Sequence, residues 1–328
     1  MVVEIVCEAP ATGIDLERHI FATPGYLAAK GGQLGWLVSE DFVLPFYVER
    51  ILVFRRLIFT TAPIPRHPAA SASAEQRFMD EVVAAVRRAG LCDFIAKPQA
   101  NAVFACAPAA AVVAPWGTYE VSIDRPDAEL LAAFHQKHRN VIGKAQRDGI
   151  TIEPITRMEV IYECVRGTLV RQGLPYYPSL RLLETLWTDL DKSLLSLGAF
   201  DNGQLQGVAL VPFDRERGYY LYGGSIEKPH SGALNLLQFE VMRQLRQRGV
   251  KLYDLVGARI DVRAGTKYEG IQRFKARFGA QLRTGLTFRV VLSRPRFWLF
   301  QLLMSVYFRL KGRRYVEPVA QLVQGDYE

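Results

Sequence analysis

The chain has 328 residues, of which 49% are hydrophobic and 23% charged, and a formal net charge of +8. These proportions are those of a globular protein, and they exclude a disordered chain, a collagen and a small disulfide-bonded scaffold. At roughly 100–200 residues per domain, the length predicts two domains.

The first 112 residues predict an α/β domain. One helix is expected over 71–90, where Ser71 or Ser73 can cap the N terminus and Gly90 ends the helix. Strand-like apolar runs stand at 35–38, 42–48, 51–54, 93–97 and 102–106. The Ala- and Pro-rich segment 107–117 is interpreted as the domain junction.

From residue 118 onward the pattern alternates more clearly. Its predicted elements are, in order, a strand at 118–124, a helix at 126–148, a strand at 150–155, helices at 157–171 and 179–194, strands at 194–201, 204–213 and 218–225, a helix at 231–249, a strand at 251–258, a helix at 266–279 and a strand at 286–292. The turn sequence Asp201-Asn202-Gly203 indicates a hairpin. Three antiparallel strands followed by a β-α-β-α-β tail predict a mixed α/β sheet with helices on both faces, which resembles the GNAT acyltransferase fold.

The positive charge is concentrated near the end of the chain. Residues 270–316 contain eleven Lys and Arg residues and no Asp or Glu, so the rest of the chain is mildly acidic. A basic region on an acidic body indicates a polyanionic partner, such as nucleic acid, anionic lipid or a phosphorylated substrate. The alternative is a solvated face without a partner.

Several familiar catalytic motifs are absent, among them the nucleophile elbow, the zinc-protease HExxH pair, the P-loop and the dinucleotide-binding glycine pattern. His135 and His138 are spaced to share a helix face, but no carboxylate stands nearby, so no metal and no other cofactor is expected. The cysteines form no C-x-x-C pair, and the N terminus lacks the features of a signal peptide. These observations favour a cytoplasmic protein.

Four ordered motifs resemble those of the FemABX family of aminoacyltransferases. They are YLYGGS at 220–225, LLQFE at 236–240, YDLVG at 253–257 and RFKARFG at 273–279, and the helix end HRNVIGKAQRDGI at 138–150 is similar as well. The resemblance implies two fused GNAT-like domains with a cleft between them, in a form without the long helical arm of some relatives. We expect residues 1–112, completed by 287–328, to form the first domain and residues 113–286 the second.

The resemblance also implies a reaction, in which an amino acid moves from aminoacyl-tRNA to an amine and a peptide bond forms. The acceptor would be a peptidoglycan precursor or a peptide natural product. Lys275 matches the family's motif lysine and is expected to stabilise the developing oxyanion or the tRNA terminus, with Phe274 shaping the adjacent wall. Lys275 could instead be one more basic residue on a helix. Asp254 is a candidate general base that binds the incoming ammonium, or a cap of the following turn.

Acceptor sites in the family use a lysine of the N-terminal segment, an arginine and a tyrosine one helical turn apart, and a tyrosine of the antiparallel strands. Lys30 and Tyr222 match the first and the last. The middle pair stands here as Tyr177 and Arg181, with the residue types exchanged, although positions i and i+4 still share a helix face. The exchange argues against a nucleotide-activated muropeptide as acceptor. Tyr177 could equally be a loop aromatic, and Tyr222 a core residue.

Further residues bear on the identity of the acyl donor and on where the protein acts in the cell. The loop at 227–233 has one glycine, and Pro229 removes an amide donor, whereas GNAT enzymes that use CoA bind its pyrophosphate on a glycine-rich loop there. Arg273, Arg277 and Arg283 are candidates for contact with tRNA phosphates. Residues 294–314 are apolar, aromatic and basic, which is typical of a segment that lies on an anionic membrane at its cytoplasmic face or packs one apolar side against the first domain.

Two other functions stay open at this point. The first is an acyl-CoA-dependent N-acyltransferase on the same fold, and the second is a non-catalytic protein that binds a polyanion or a membrane surface. The sequence leaves the transferred amino acid, the acceptor and the oligomeric state undetermined.

Overall fold

The computed structural model describes residues 2–10, 15, 18–68, 70–174, 177–260 and 262–325. The strands are β1 (Glu4–Val6), β2 (Gln33–Val38), β3 (Phe42–Ile51), β4 (Phe54–Phe59), β5 (Ile64–Pro65), β6 (Phe94–Ile95), β7 (Val112–Ser122), β8 (Thr151–Pro154), β9 (Leu194–Asp201), β10 (Gln204–Pro212), β11 (Arg217–Tyr219), β12 (Tyr222–Ser225), β13 (Leu252–Asp254), β14 (Ala258–Arg259) and β15 (Gln281–Val291). The helices are α1 (Pro24–Lys30), α2 (Ala72–Arg88), α3 (Asp127–Ala133), α4 (Gln136–Arg147), α5 (Met158–Arg171), α6 (Leu180–Leu190), α7 (Ala233–Gln247), α8 (Lys267–Ala276), α9 (Arg294–Leu310) and α10 (Pro318–Gln324), with 3₁₀ turns at Ile20–Ala22 and Asp191–Ser193.

A large mixed sheet runs through both halves of the chain. Its strands are ordered β1-β2-β3-β4-β6-β15-β7-β13-β11, with β5 beside β3 and β14 beside β7. The central antiparallel pair aligns Gln281 with Glu120 at one end and Arg289 with Val112 at the other, and the tip of β15 continues onto β6. A smaller antiparallel sheet has the order β12-β10-β9-β8. The predicted fold class, a mixed α/β protein built from two fused GNAT-like domains, is confirmed.

Each half has its own hydrophobic core. The first core lies around α2 and strands β3 and β4, and it includes Phe288 and Val290 from the distant strand β15. The second lies around α7, with Leu237 and Tyr253 at its centre, and a third forms where α1 meets α5 and α6. The exact domain bounds stay a prediction, although residues 112–117 belong to the first part of β7 and not to a linker.

The predicted third antiparallel strand, 218–225, is divided between the two sheets. Tyr219 ends β11, which runs parallel to β13 in the large sheet, whereas Tyr222 begins β12, which pairs with β10 in the small one. The backbone N–H of Tyr220 still donates to the Asp254 carbonyl, and Leu221 closes a tight turn onto Tyr219. The chain therefore passes from the large sheet to the small sheet between Tyr219 and Tyr222.

Three other local predictions need correction. The helix expected over 126–148 is broken between α3 and α4, because Phe134 turns into the core and His135 N–H donates to the Arg277 carbonyl over 2.8 Å. The apolar run 51–54 is not one strand, because Leu52 and Val53 form the turn between β3 and β4, which end and begin at Ile51 and Phe54. The run 102–106 makes only a single bridge, from Phe104 to Leu286.

The glycines of β12 allow close packing against helix α5. A Cβ atom at Gly224 would lie 2.6 Å from the carbonyl oxygen of Cys164 and 2.9 Å from the Cα of Val165. Both are backbone atoms of α5, so a side chain at Gly224 would push the helix away from the sheet. The motif YLYGGS is therefore explained in part by packing.

We expect Gly224→Ala to lower the free energy of unfolding by about 1–3 kcal/mol, the usual cost of overpacking. The matched control is Gly270→Ala on α8, where a Cβ would meet nothing within 4 Å. This change should be neutral or stabilise by up to about 1 kcal/mol, because alanine favours helix. Urea denaturation measures both, and equal effects of the two variants would contradict the packing role of Gly224.

Candidate functional site

The centre of the site is a tight turn between β13 and β14. Asp254 ends β13, and the next residues leave the strand with left-handed conformations at Val256 (φ 48°) and Gly257 (φ 66°). A left-handed conformation is unfavourable for valine, so the surrounding contacts must hold it. The Asp254 carboxylate does so, because its Oδ1 accepts from the Val256 N–H over 2.7 Å and from the Thr118 hydroxyl.

Lys275 reaches the same turn from helix α8. Its side chain is buried, and its Nζ donates to the carbonyl oxygens of Val256 at 2.5 Å and Gly257 at 2.7 Å. Burial lowers the pKa of Lys275 to about 8, against the opposing effect of Asp254. An ammonium has three donors, so one N–H remains for a further acceptor. The turn thus fixes a desolvated cation whose direction is set by backbone atoms.

Asp254 occupies the position of a turn cap. It is completely buried, and burial raises the pKa of its carboxyl group. Its Oδ2 has no hydrogen-bond partner among the described residues, and the Arg217 guanidinium lies 3.8 Å away. Asp254 therefore caps the turn, and its predicted role as a general base stays a prediction.

Phe274 lies beside Lys275 in an aromatic cluster. Its ring packs edge-on to Phe278 at 5.1 Å between centroids, and the His138 ring lies 5.4 Å away. Burial lowers the pKa of His138 to about 4, so the imidazole is neutral at pH 7. His135 instead caps α4, accepting from Lys137 N–H. The two histidines therefore serve packing and capping, and the described residues contain no cluster of three or more metal-ligating side chains.

A second desolvated lysine stands at the C-terminal end of α1. The Nζ of Lys30 lies 4.7 Å from the ring centroid of Tyr26 and 6.0 Å from that of Tyr222. Burial lowers the pKa of Lys30 to about 8, and no carboxylate of the described residues lies within ion-pair distance. The Tyr26 hydroxyl donates to Gln99 Oε1 over 2.8 Å. The structure thus brings the predicted residues Lys30 and Tyr222 together, on elements from the two halves of the chain.

The pair Tyr177 and Arg181 is arranged differently from the expectation. Tyr177 is 41% exposed and packs edge-on to Tyr162 at 6.4 Å between centroids. The guanidinium over its ring is that of Arg166 on α5, at 5.8 Å, while Arg181 lies exposed on α6. An arginine therefore accompanies the tyrosine, but it comes from a different helix.

One further cation escaped the sequence analysis. The Nζ of Lys97 lies 3.8 Å above the ring of Trp116, and burial lowers the pKa of Lys97 to about 7. The same ring borders the turn, because a Cβ at Gly257 would lie 3.1 Å from Trp116 Cζ2. Neither residue belongs to a motif, and Lys97 stands in a run that predicts a strand. Only the fold brings it near the turn that binds Lys275.

The basic segment 270–316 does not form one continuous cationic surface. Four of its arginines are paired with carboxylates from elsewhere in the chain: Arg273 with Glu269, Arg283 with Glu120, Arg289 with Glu317 and Arg296 with Asp93. The acids lie outside the segment, so the sequence count overstates its free charge. Arg277 is half-buried at the end of α8. The predicted contact of Arg273, Arg277 and Arg283 with tRNA stays a prediction.

Comparisons with known proteins bear on the fold that holds these residues. Residues 116–276 match the family model described as an acetyltransferase (GNAT) domain. The structure is similar to FemX, with a TM-score of 0.65 and 15% identity over 90% of this chain and 99% of that one. L-PGS from Bacillus licheniformis gives a TM-score of 0.51 and 14% identity, over 94% of this chain and 100% of that one. A tandem GNAT protein from the clavulanic acid biosynthesis pathway gives a TM-score of 0.50 and 13% identity, over 88% of this chain and 98% of that one.

No curated protein sequence matches the chain. At these identities the structural likeness concerns the fold, and the family model covers residues 116–276 only. Residues 116–276 are therefore a GNAT domain, and the whole chain has the FemX-like fold of two fused GNAT-like domains.

Proposed function

We propose that this protein is an aminoacyltransferase that moves an amino acid from aminoacyl-tRNA to an amine. The observation that carries the proposal is the buried ammonium of Lys275, fixed by the carbonyls of Val256 and Gly257. Burying a charge costs free energy, and a protein retains such a group mainly where chemistry uses it.

The reaction needs no covalent enzyme intermediate, because the aminoacyl ester is already activated. The amine nitrogen of the acceptor attacks the ester carbonyl, and a tetrahedral species with a negative oxygen forms. The remaining N–H of Lys275 would donate to that oxygen. The bond between the carbonyl carbon and the ribose oxygen then breaks. The ribose oxygen takes the proton lost by the attacking amine and leaves as a hydroxyl, and the new amide bond remains.

The acceptor would lie toward Lys30. A cation that two tyrosine rings flank, with no carboxylate of the described residues within ion-pair distance, fits an anionic group of the acceptor, such as a peptide carboxylate or a phosphate. Tyr222 would line the same space, and Tyr177 with Arg166 or Arg181 would lie farther out. We propose a peptidoglycan precursor or a peptide natural product as acceptor, and the cytoplasm as the place of the reaction.

The loop before α7 supports a donor other than acyl-CoA. The N–H of His230 donates to Gln206 Oε1 over 2.8 Å, and that of Ala233 donates to the His230 carbonyl over 3.1 Å. These two amides are engaged and Pro229 has none, so three positions of the loop cannot donate to a pyrophosphate. The description of the matching family as acetyltransferases favours acyl-CoA as the second candidate donor.

The deciding experiment offers the protein a labelled aminoacyl-tRNA pool or labelled acetyl-CoA, with a peptidoglycan stem peptide as acceptor. We expect label to pass from tRNA to the peptide, and Lys275→Ala to lower the rate about 10²–10³-fold, the usual loss of one oxyanion donor. The control is Lys267→Ala, an exposed lysine on the same helix, which should change the rate little. Transfer from acetyl-CoA alone would establish the second candidate, and equal losses in both variants would remove Lys275 from the chemistry.

The rate should also depend on the charge of Lys275. Hydroxylamine serves as a small acceptor, and single-turnover rates are measured from about pH 7, above which hydroxylamine is largely neutral, to about pH 10. The rate should fall as the pH rises through about 8, because Lys275 then loses its proton. The variant Lys275→Arg should react more slowly but keep its rate to higher pH, since arginine stays charged. An unchanged fall in Lys275→Arg would assign the titration to another group.

A further inference from the structure

Helix α9 has two apolar faces, and the described residues of the protein cover only one of them. Phe297, Phe300, Met304 and Phe308 are buried against Phe54 and Phe94 of the first domain. The packing predicted for this segment is therefore present. On the other side the helix exposes seven large apolar residues, which are Trp298, Leu299, Leu302, Leu303, Val306, Tyr307 and Leu310.

The exposed residues form one continuous strip. At about 100° per residue they cover about half of the helix circumference, and the buried residues take most of what remains. Trp298 is 65% exposed and Leu310 is 84% exposed, at opposite ends of a helix about 25 Å long. Isolated exposed apolar residues are ordinary, but a strip of this extent indicates a surface that a partner covers.

A second apolar projection stands beside the first turn of α9. The tip of the β3–β4 hairpin consists of Leu52 and Val53, which are 71% and 66% exposed. Leu52 has a left-handed conformation (φ 56°), which a turn glycine or asparagine would adopt at lower cost. Arg296 of α9 donates to the Val53 carbonyl over 2.5 Å and ties the tip to the helix.

Basic side chains border both apolar elements. Arg50 and Arg55 are exposed and lie directly opposite each other in the hairpin register, an unfavourable arrangement unless anions lie nearby. Arg294 and Arg309 flank the strip on α9, and exposed Lys311 and Arg313 follow the helix. Four of the basic residues of the segment 270–316 thus lie at this border.

We propose that α9 and the β3–β4 hairpin tip together form a docking surface for an anionic lipid membrane. Aromatic and aliphatic side chains would enter the interface, and the arginines and lysines would lie at the headgroup phosphates. A second copy of this chain fits the surface less well, because the two basic borders would repel each other. Nowhere in the described ranges is a helix both long and apolar enough to cross a bilayer, so α9 would lie in the plane of the interface.

Binding of the full chain to lipid vesicles tests the surface independently of any transfer reaction. Vesicles of phosphatidylcholine alone are compared with vesicles of equal parts phosphatidylcholine and phosphatidylglycerol, by flotation. We expect binding at least about tenfold tighter to the anionic vesicles, and weaker binding as salt is raised. Because Trp298 is the most exposed of the four tryptophans, its fluorescence should shift to the blue on binding.

Paired variants locate the surface. Trp298→Ser with Leu302→Ser, and separately Arg50→Gln with Arg55→Gln, should each weaken binding about tenfold or more, while Val170→Ser, an exposed apolar residue on α5, should not. Trp298→Phe should bind and lose the spectral shift. All replaced side chains are exposed, so the fold should persist, and circular dichroism checks this.

Three vesicle results would overturn the proposal. They are the absence of binding to anionic vesicles, equal binding to neutral vesicles, and binding that the paired variants leave unchanged. A dimer in sedimentation experiments that Trp298→Ser with Leu302→Ser abolishes would also overturn it, because a second copy would then cover the strip. The proposed transferase reaction would stand in each case, since vesicle binding does not depend on turnover.

Discussion

The pairing of β7 with β15 holds the architecture together. These strands lie far apart in sequence, and their long antiparallel register joins the two halves into one sheet. Thr118 of β7 also binds Asp254, and Trp116 of β7 borders Gly257. The strand pair that unites the domains therefore also supports the turn to which Lys275 is bound. A change in the register would move the candidate site along with the domain junction.

The candidate site contains three lysines whose positive charge is only partly offset by the groups around them. Lys275 is bound to carbonyl dipoles, and Lys30 and Lys97 lie against aromatic rings. None of these arrangements offsets an ammonium as well as a carboxylate would. By contrast, Arg217 and Arg283 share Glu120 at the other side of Asp254. These two arginines are thus paired with a carboxylate, whereas Lys275, Lys30 and Lys97 have none within ion-pair distance among the described residues.

The amino-acid sequence could predict those structural features that depend on a local pattern of residues. The hairpin at 194–212 follows from Asn202 and Gly203, which have the positive φ angles that such turns require. The order of elements after residue 118 and the position of Lys275 on a helix were also predictable. The break at Phe134 was not, because it depends on rings at Phe239 and Phe278 more than a hundred residues away. The position of Lys97 beside Trp116 was not predictable either. Nor was the tip of the β3–β4 hairpin, because its apolar sequence is typical of a strand.

The lowered pKa of Lys275 links the stability of the fold to ligands. Between pH 8, near its folded pKa, and 10.5, its ordinary value, the unfolded chain binds the proton more tightly, so this group favours the folded state more as the pH rises. At neutral pH the folded protein therefore retains a charge that it would be more stable without. An anion bound beside Lys275 would offset this loss of stability. Binding of an anionic substrate would then stabilise the folded state before the reaction.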